Sequence, residues 1–111
     1  MPTNKNQLRA EAVELAALIN KVLGKVKNRD YYIEQMYKSI VEIGANITSL
    51  RNPRDEIGII RRLNMAIDAC SEILFIAKVI SVEGHISDDE YKLIKKSVQA
   101  LERRLTAGLS D

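Results

Sequence analysis

A chain of 111 residues with 46% hydrophobic and 29% charged side chains is long enough for one buried core and too apolar for a disordered tail. A single cysteine, Cys70, excludes an internal disulfide and suits a reducing cytoplasm, while aromatic residues at 5% without tryptophan leave an aliphatic core. The formal charge of +2 permits contact with nucleic acid without demanding it.

From the start, Met-Pro-Thr-Asn-Lys-Asn-Gln is polar and carries no apolar signal core. Thr3 or Asn4 can cap a first helix over about 4–27. Along it Leu8, Ala12, Leu15, Ile19, Val22 and Val26 step by 4 and 3, a regular apolar stripe. Gly24 weakens its last turn, and Lys27-Asn28-Arg29-Asp30 supplies a polar turn with capping side chains of its own. A second helix is expected over about 30–51, where Ile33, Met36, Ile40, Ile43, Ile47 and Leu50 repeat the alternation. Tyr37, Val41, Gly44 and Thr48 form the neighbouring strip. Gly44 in mid-helix costs about 1 kcal/mol against alanine, which points to close approach of another helix backbone there. Asn52-Pro53 then breaks the helix.

The third segment, about 54–83, organises the chain. It holds no proline or glycine between Ile59 and Glu83, and its apolar residues overflow one stripe. Ile60, Leu63, Ile67, Cys70, Leu74 and Ala77 make one face; Ile59, Ala66, Ile73, Ile76 and Ile80 make a second. Phe75, Val79 and Val82 lie beyond both and mark an oligomer interface, because contiguous surplus apolar surface is the usual sign of one. The most hydrophobic run, Ile73 to Val82, is interrupted by Lys78 and Ser81 and is too short to cross a bilayer. Gly84 reads as a left-handed stop. Ser87-Asp88-Asp89-Glu90 then reads as a capping box opening a fourth helix over about 88–107, with Tyr91, Ile94, Val98, Leu101 and Leu105 in register and Gly108 ending it. Four amphipathic helices with short connections give an all-α, up-down-up-down antiparallel four-helix bundle in one domain, 1–111.

Enzymatic constellations are absent from the sequence. The lone histidine, His85, sits in a polar loop and reads as solvated. A bundle-type di-metal centre needs Glu-x-x-His pairs, and none exists, so neither metal nor cofactor is expected. No glycine-rich phosphate loop or nucleophile elbow is present. Cys70 reads as a small apolar seam residue. Asp68 and Glu72, at i and i+4, are placed to pair with arginines a turn or two away.

Cations are more informative. Arg51, Arg54, Arg61 and Arg62 gather around the second turn and the start of the third helix. Lys92, Lys96 and Arg103, with Gln99 between them, form a stripe on the fourth, flanked by Lys95 and Arg104; Lys21, Lys25, Lys27 and Arg29 crowd the end of the first. Such stripes hold phosphates without reading bases. Aromatics for stacking are few: Tyr31, Tyr32, Tyr37 and Tyr91, the last two reading as packing residues.

The pattern Gln35-x-x-Lys38-x-x-x-x-Ile43-x-x-Asn46-Ile47, then Leu63-Asn64-x-Ala66-x-x-x-x-x-Glu72-Ile73, then Gly84-x-Ile86-Ser87-x-x-Glu90-Tyr91 resembles the small bacterial four-helix-bundle family. That family includes proteins encoded in intervening sequences of large-subunit ribosomal RNA genes; the accessory proteins of diversity-generating retroelements are similar more distantly. The resemblance spans about residues 8–107. It departs from the family at Ser49-Leu50, where Glu-Gly is usual, at Gly44, where proline is common, at Ala69, where serine is frequent, and in lacking the tryptophan of the retroelement branch. It implies a homopentameric barrel, no catalysis and affinity for RNA, with a reverse transcriptase as a further partner in the retroelement branch. Leu63-Asn64-x-Ala66 leans to the intervening-sequence branch. The resulting expectation is a cytoplasmic, non-enzymatic, homo-oligomeric RNA-associated adaptor. The alternatives are a retroelement accessory protein that binds its reverse transcriptase and template RNA, and a purely protein-binding helical scaffold.

Overall fold

The computed structural model describes residues 4–28, 30–52 and 54–110. Four helices run in order: α1 (Lys5–Leu23), α2 (Tyr31–Thr48), α3 (Glu56–Val82) and α4 (Asp88–Leu109). Among the described residues there is no strand. Helix α3 packs between α2 and α4, and α1 closes the ring against the same two helices; neither diagonal pair comes into backbone contact among the described residues. The result is an up-down-up-down bundle, 45 × 21 × 19 Å. Its long dimension is set by α3, whose 27 residues span about 40 Å at about 1.5 Å per residue.

Each helix begins on a side chain that accepts one of its orphan amides. Asn4 accepts from the Gln7 N–H, Asp30 from Ile33 and Asp55 from Gly58, each at 3.0 Å. Thr3, the other candidate for the first cap, lies outside the described residues. Helix α4 carries the full reciprocal box: Ser87 Oγ accepts from the Glu90 N–H at 3.0 Å, and Glu90 Oε1 accepts from the Ser87 N–H at 2.9 Å. Asp55 moves the start of α3 to Glu56, two residues later than the break at Asn52-Pro53 implies; Asn52 instead accepts from the Arg54 N–H at 3.0 Å. Pro53 itself is outside the described residues.

Helix ends depend on packing as well as on residue type. Gly84 has φ +84, and the His85 N–H reaches back to the Ile80 carbonyl at 2.9 Å, so the left-handed stop after α3 is present. Gly108 does not stop α4. The helix runs through it to Leu109, which packs against the core, and Gly108 has no positive φ. At the other extreme α1 ends at Leu23, before Val26, which leaves the helix and still packs on the core from the loop. Helix α2 likewise ends at Thr48, and Leu50 covers the core from beyond it.

Leu15, Ile19, Ile33, Ile43, Ile73 and Ile80 are completely buried, as are Ile94, Val98, Leu101 and Leu105 on α4. Helix α3 buries an arc wider than one stripe, from Leu63, Cys70 and Ala77 on one side to Ala69 and Ile76 on the other. Ile60 is a correction. Expected in the first seam, it is 48% exposed, because at about 100° per residue it lies about 60° beyond Leu63, outside the arc that α3 buries. A Cβ on Gly44 would meet nothing within 4 Å, so no helix of this chain approaches it closely. Ser39, also on α2, is fully buried with its hydroxyl unpartnered.

Ser87→Ala removes one half of the box and should lower stability by about 0.5–2 kcal/mol in urea titration. Hydrogen bonding from Lys25, then from the Ser87 amide, holds the Glu90 carboxyl below its usual range. A depressed carboxyl stabilises the fold above its unfolded pKa and loses that contribution as pH falls through its folded one. Wild type should therefore lose stability on acidification below about pH 4.5, and Glu90→Gln should flatten that limb.

Candidate nucleic-acid interface

On α4 the core residues Ile94, Val98, Leu101 and Leu105 fix the orientation of everything else. At about 3.6 residues per turn, Lys92, Lys96, Gln99 and Arg103 fall on the opposite side, a line about 16 Å long. Lys92, Lys96 and Arg103 are exposed and Gln99 is half-buried. From Tyr91 to Arg104 the sequence holds five cations and one carboxylate, Glu102. Glu102 turns away from the line and accepts from Ser71 of α3 at 3.5 Å.

The cations of this helix divide by direction. Arg104 turns inward to α1, where Nε donates to Glu11, and with the Gln7 amide turned to present its oxygen the guanidinium donates to it at 2.8 and 3.1 Å. Lys92 pairs with Asp88 at 3.1 Å, and that hydrogen bond, then the Asp88 charge, raises its pKa and keeps it cationic. Both partners are more than two-thirds exposed, so a phosphate can compete for the ammonium. Lys96 and Arg103 make no ion pair among the described residues.

The cluster between α2 and α3 is looser. Arg51, Arg54 and Arg61 are exposed. Arg62 is half-buried and donates from Nη1 to Asn46 Oδ1 at 3.4 Å. Asn46 is only 3% exposed and donates on to the Glu42 carbonyl at 2.9 Å. Arg62 thus serves a buried amide and is not presented outward with Arg61. At the opposite end of the bundle, Lys25 is engaged by Glu90 of α4 while Lys21 and Lys27 are exposed; Arg29 lies outside the described residues. The seven expected contact residues therefore do not form one surface. The α4 line is the continuous part, and Arg51 and Arg54 lie at the end of the bundle nearest Arg103.

Other expectations take definite positions. Glu72 accepts from Gln35 Nε2 of α2 at 2.9 Å, so its partner is a glutamine on the next helix and not an arginine on its own; Asp68 is exposed. Tyr91 is half-buried beneath the Lys78 ammonium, 5.1 Å from the ring centre. Tyr31, 72% exposed and edge-on to Tyr32 at 5.6 Å, is the ring best placed for stacking. It borders an open apolar hollow on α2 with Tyr37, Lys38 and Val41. His85 is not a freely solvated loop residue: its Nε2 lies 3.4 Å from Asp30 and 3.9 Å from Glu83. Of the expected interface residues, Phe75 and Val82 are 63% and 76% exposed, and Val79 is half-buried. Val13, Val41 and Leu93 are exposed on the other three helices; Val41, expected in the strip beside the α2 seam, faces outward, and none of the three is among the expected interface residues. Val13 and Leu93 are apolar residues set off from their helices' buried stripes, the signal that could have found them. No helix among the described residues is long and apolar enough to cross a membrane.

Burial, and secondarily the charge of Glu102, pushes the Cys70 thiol up to about 12, which leaves it a packing residue at neutral pH.

No protein-family model matches this chain, and no curated protein matches it. Among solved structures it is similar to a protein of unknown function from the S23 ribosomal protein family of Bacteroides thetaiotaomicron. The two superpose with a TM-score of 0.82 at 19% identity, over 95% of this chain and 93% of the other. The likeness is one of fold.

With its folded pKa raised, Cys70 stabilises the protein fully below the ordinary thiol value of 9.0 and loses that contribution as pH rises toward about 12. The stability difference between wild type and Cys70→Ala should shrink over that range, and native protein at pH 8 should react with a thiol reagent far more slowly than urea-unfolded chain.

Proposed function

We propose that this protein is a non-enzymatic, homo-oligomeric adaptor that holds structured RNA by its phosphates along the outer face of α4. The carrying observation is the line of Lys92, Lys96 and Arg103 opposite the buried seam, with Lys96 and Arg103 unpaired among the described residues. Lysines and arginines on a helix face neutralise phosphates without reading sequence. A modest stripe becomes an extended basic surface when copies assemble. Exposed Phe75 and Val82 support assembly, and the family resemblance implies five copies. The fold neighbour's designation as a member of a ribosomal protein family agrees with an RNA-associated role.

One observation favours a second reading, a protein-binding scaffold. Exposed apolar residues stand on every helix, Val13, Val41 and Leu93 included, which is more than a single self-interface on α3 uses.

Light scattering at micromolar concentration should return a multiple of the 12.5 kDa chain mass, five-fold on the family's pattern. Phe75→Glu with Val82→Glu should reduce it to monomer; a wild-type monomer removes the assembly.

In gel shifts at two salt concentrations, binding to structured RNA should weaken steeply with salt, because each neutralised phosphate releases counterions. Replacing Lys92, Lys96 and Arg103 together by glutamine should lower affinity for all sequences alike. The salt slope should flatten by up to about one unit for each phosphate that a subunit no longer neutralises, with the oligomer intact. Absence of RNA binding at low salt would leave the scaffold reading. Equal binding by the triple variant would move the interface to Arg51, Arg54 and Arg61.

A further inference from the structure

Asp30, Glu83 and His85 are drawn from two segments more than fifty positions apart in the sequence, yet they meet where the α1–α2 and α3–α4 loops face each other. We infer that they form a site for a divalent transition cation of the zinc class, tying the start of α2 to the end of α3. One imidazole nitrogen and one oxygen from each carboxylate lie within 4.8 Å of one another. His85 Nε2 is 3.4 Å from Asp30 Oδ2 and 3.9 Å from Glu83 Oε1. Bonds of about 2.0–2.2 Å around a tetrahedral ion put neighbouring ligands about 3.4 Å apart. The His85–Asp30 edge already has that length. On the His85–Glu83 edge Glu83 must close by about half an ångström, and its side chain, 44% exposed, has the room to swing in toward both partners.

The scaffold under the three groups is fixed. Gly84 and the bond from the His85 N–H to the Ile80 carbonyl set the turn carrying His85, and buried Ile86 anchors the next residue. Asp30 is held by its other oxygen, which caps α2 at 3.0 Å from the Ile33 N–H, so Oδ2 is left to face His85. Partial exposure of all three side chains, 25% for His85, leaves a coordination position open to water. Two carboxylates supply the negative charge a dication requires. The imidazole favours zinc and its neighbours over calcium and magnesium, which take oxygen donors.

The test uses the untagged full-length chain, stripped with EDTA and titrated with zinc chloride by calorimetry and in thermal melts. Wild type should bind one zinc per chain, and its melting temperature should rise by about 10 °C with free zinc at about a hundred times Kd. Calcium chloride should leave the melt unchanged. His85→Ala should abolish the zinc-dependent rise. Asp30→Asn should weaken zinc binding at least ten-fold while retaining the cap, since asparagine caps as well as aspartate. Each variant is compared with itself with and without zinc, so a change in basal stability does not enter. Failure of wild type to bind, retention of the rise by His85→Ala, or an equal response to calcium would overturn the assignment. None of these outcomes touches the α4 stripe.

Discussion

The width of the apolar face on α3 is the constraint from which the rest of the bundle follows. Leu63, Ala66, Ala69, Cys70, Ile73, Ile76, Ala77 and Ile80 are all buried, and they cover an arc too broad for one neighbouring helix. Two helices must flank α3, and a third must close the remaining side. Helices α2 and α4 take the flanks, and α1 packs against both from across the core. Small residues share this face with large ones: Ala66, Ala69, Cys70 and Ala77 are interspersed with isoleucines. That mixture lets side chains from two directions interdigitate on one helix. Burying Cys70 there follows from its size, and its raised pKa is a consequence of the packing.

Several residues that carry the family resemblance prove to be the polar ties of this fold. Gln35 and Glu72 bond to each other between α2 and α3, and Asn46 meets Arg62 across the same pair. Gly84 makes the left-handed turn, Ile86 is buried behind it, and Ser87 with Glu90 starts α4. Tyr91 packs under Lys78. These are positions where one residue type satisfies a local geometry that few others can. A pattern composed of them identifies the architecture and carries little about activity, which lives on outward-facing side chains the pattern does not include.

The same division governs what could be read from the chain alone. Four helices, the antiparallel order and the caps at Asn4, Asp30 and Ser87 follow from 3.6-residue periodicity and local side-chain chemistry, both inscribed in neighbouring positions. Features that depend on contacts between distant segments were not legible. Gly108 resembles a stop until Leu109 is found packed on the core, and Gly44 resembles a contact point until the space around it is found open. Arg61 and Arg62 are equivalent as letters, but about 100° of helical rotation separates them, and only one turns toward Asn46. His85 looked solvated because Asp30, which it faces, is 55 positions away. The α4 stripe was legible because its seam and its cations lie on one continuous helix.

Net charge is a poor guide to this surface because the carboxylates are unevenly placed. Glu11 and Glu90 are engaged at the α1–α4 seam by Arg104 and Lys25, and Glu102 and Glu72 face other helices. Asp30 and Asp55 cap helices. Acidic groups used at seams and helix starts cancel cations in the total while doing little to cancel them along the outer line of α4. A chain of net +2 can therefore present Lys96 and Arg103 with no opposing carboxylate in contact among the described residues. Their field reaches about one Debye length, about 8 Å at physiological salt, so the spacing between stripes in an assembly decides whether they act together. In the proposed assembly, α4 helices standing closer than that would attract phosphate more strongly than the sum of isolated subunits, and subunit geometry would become part of the proposed binding site.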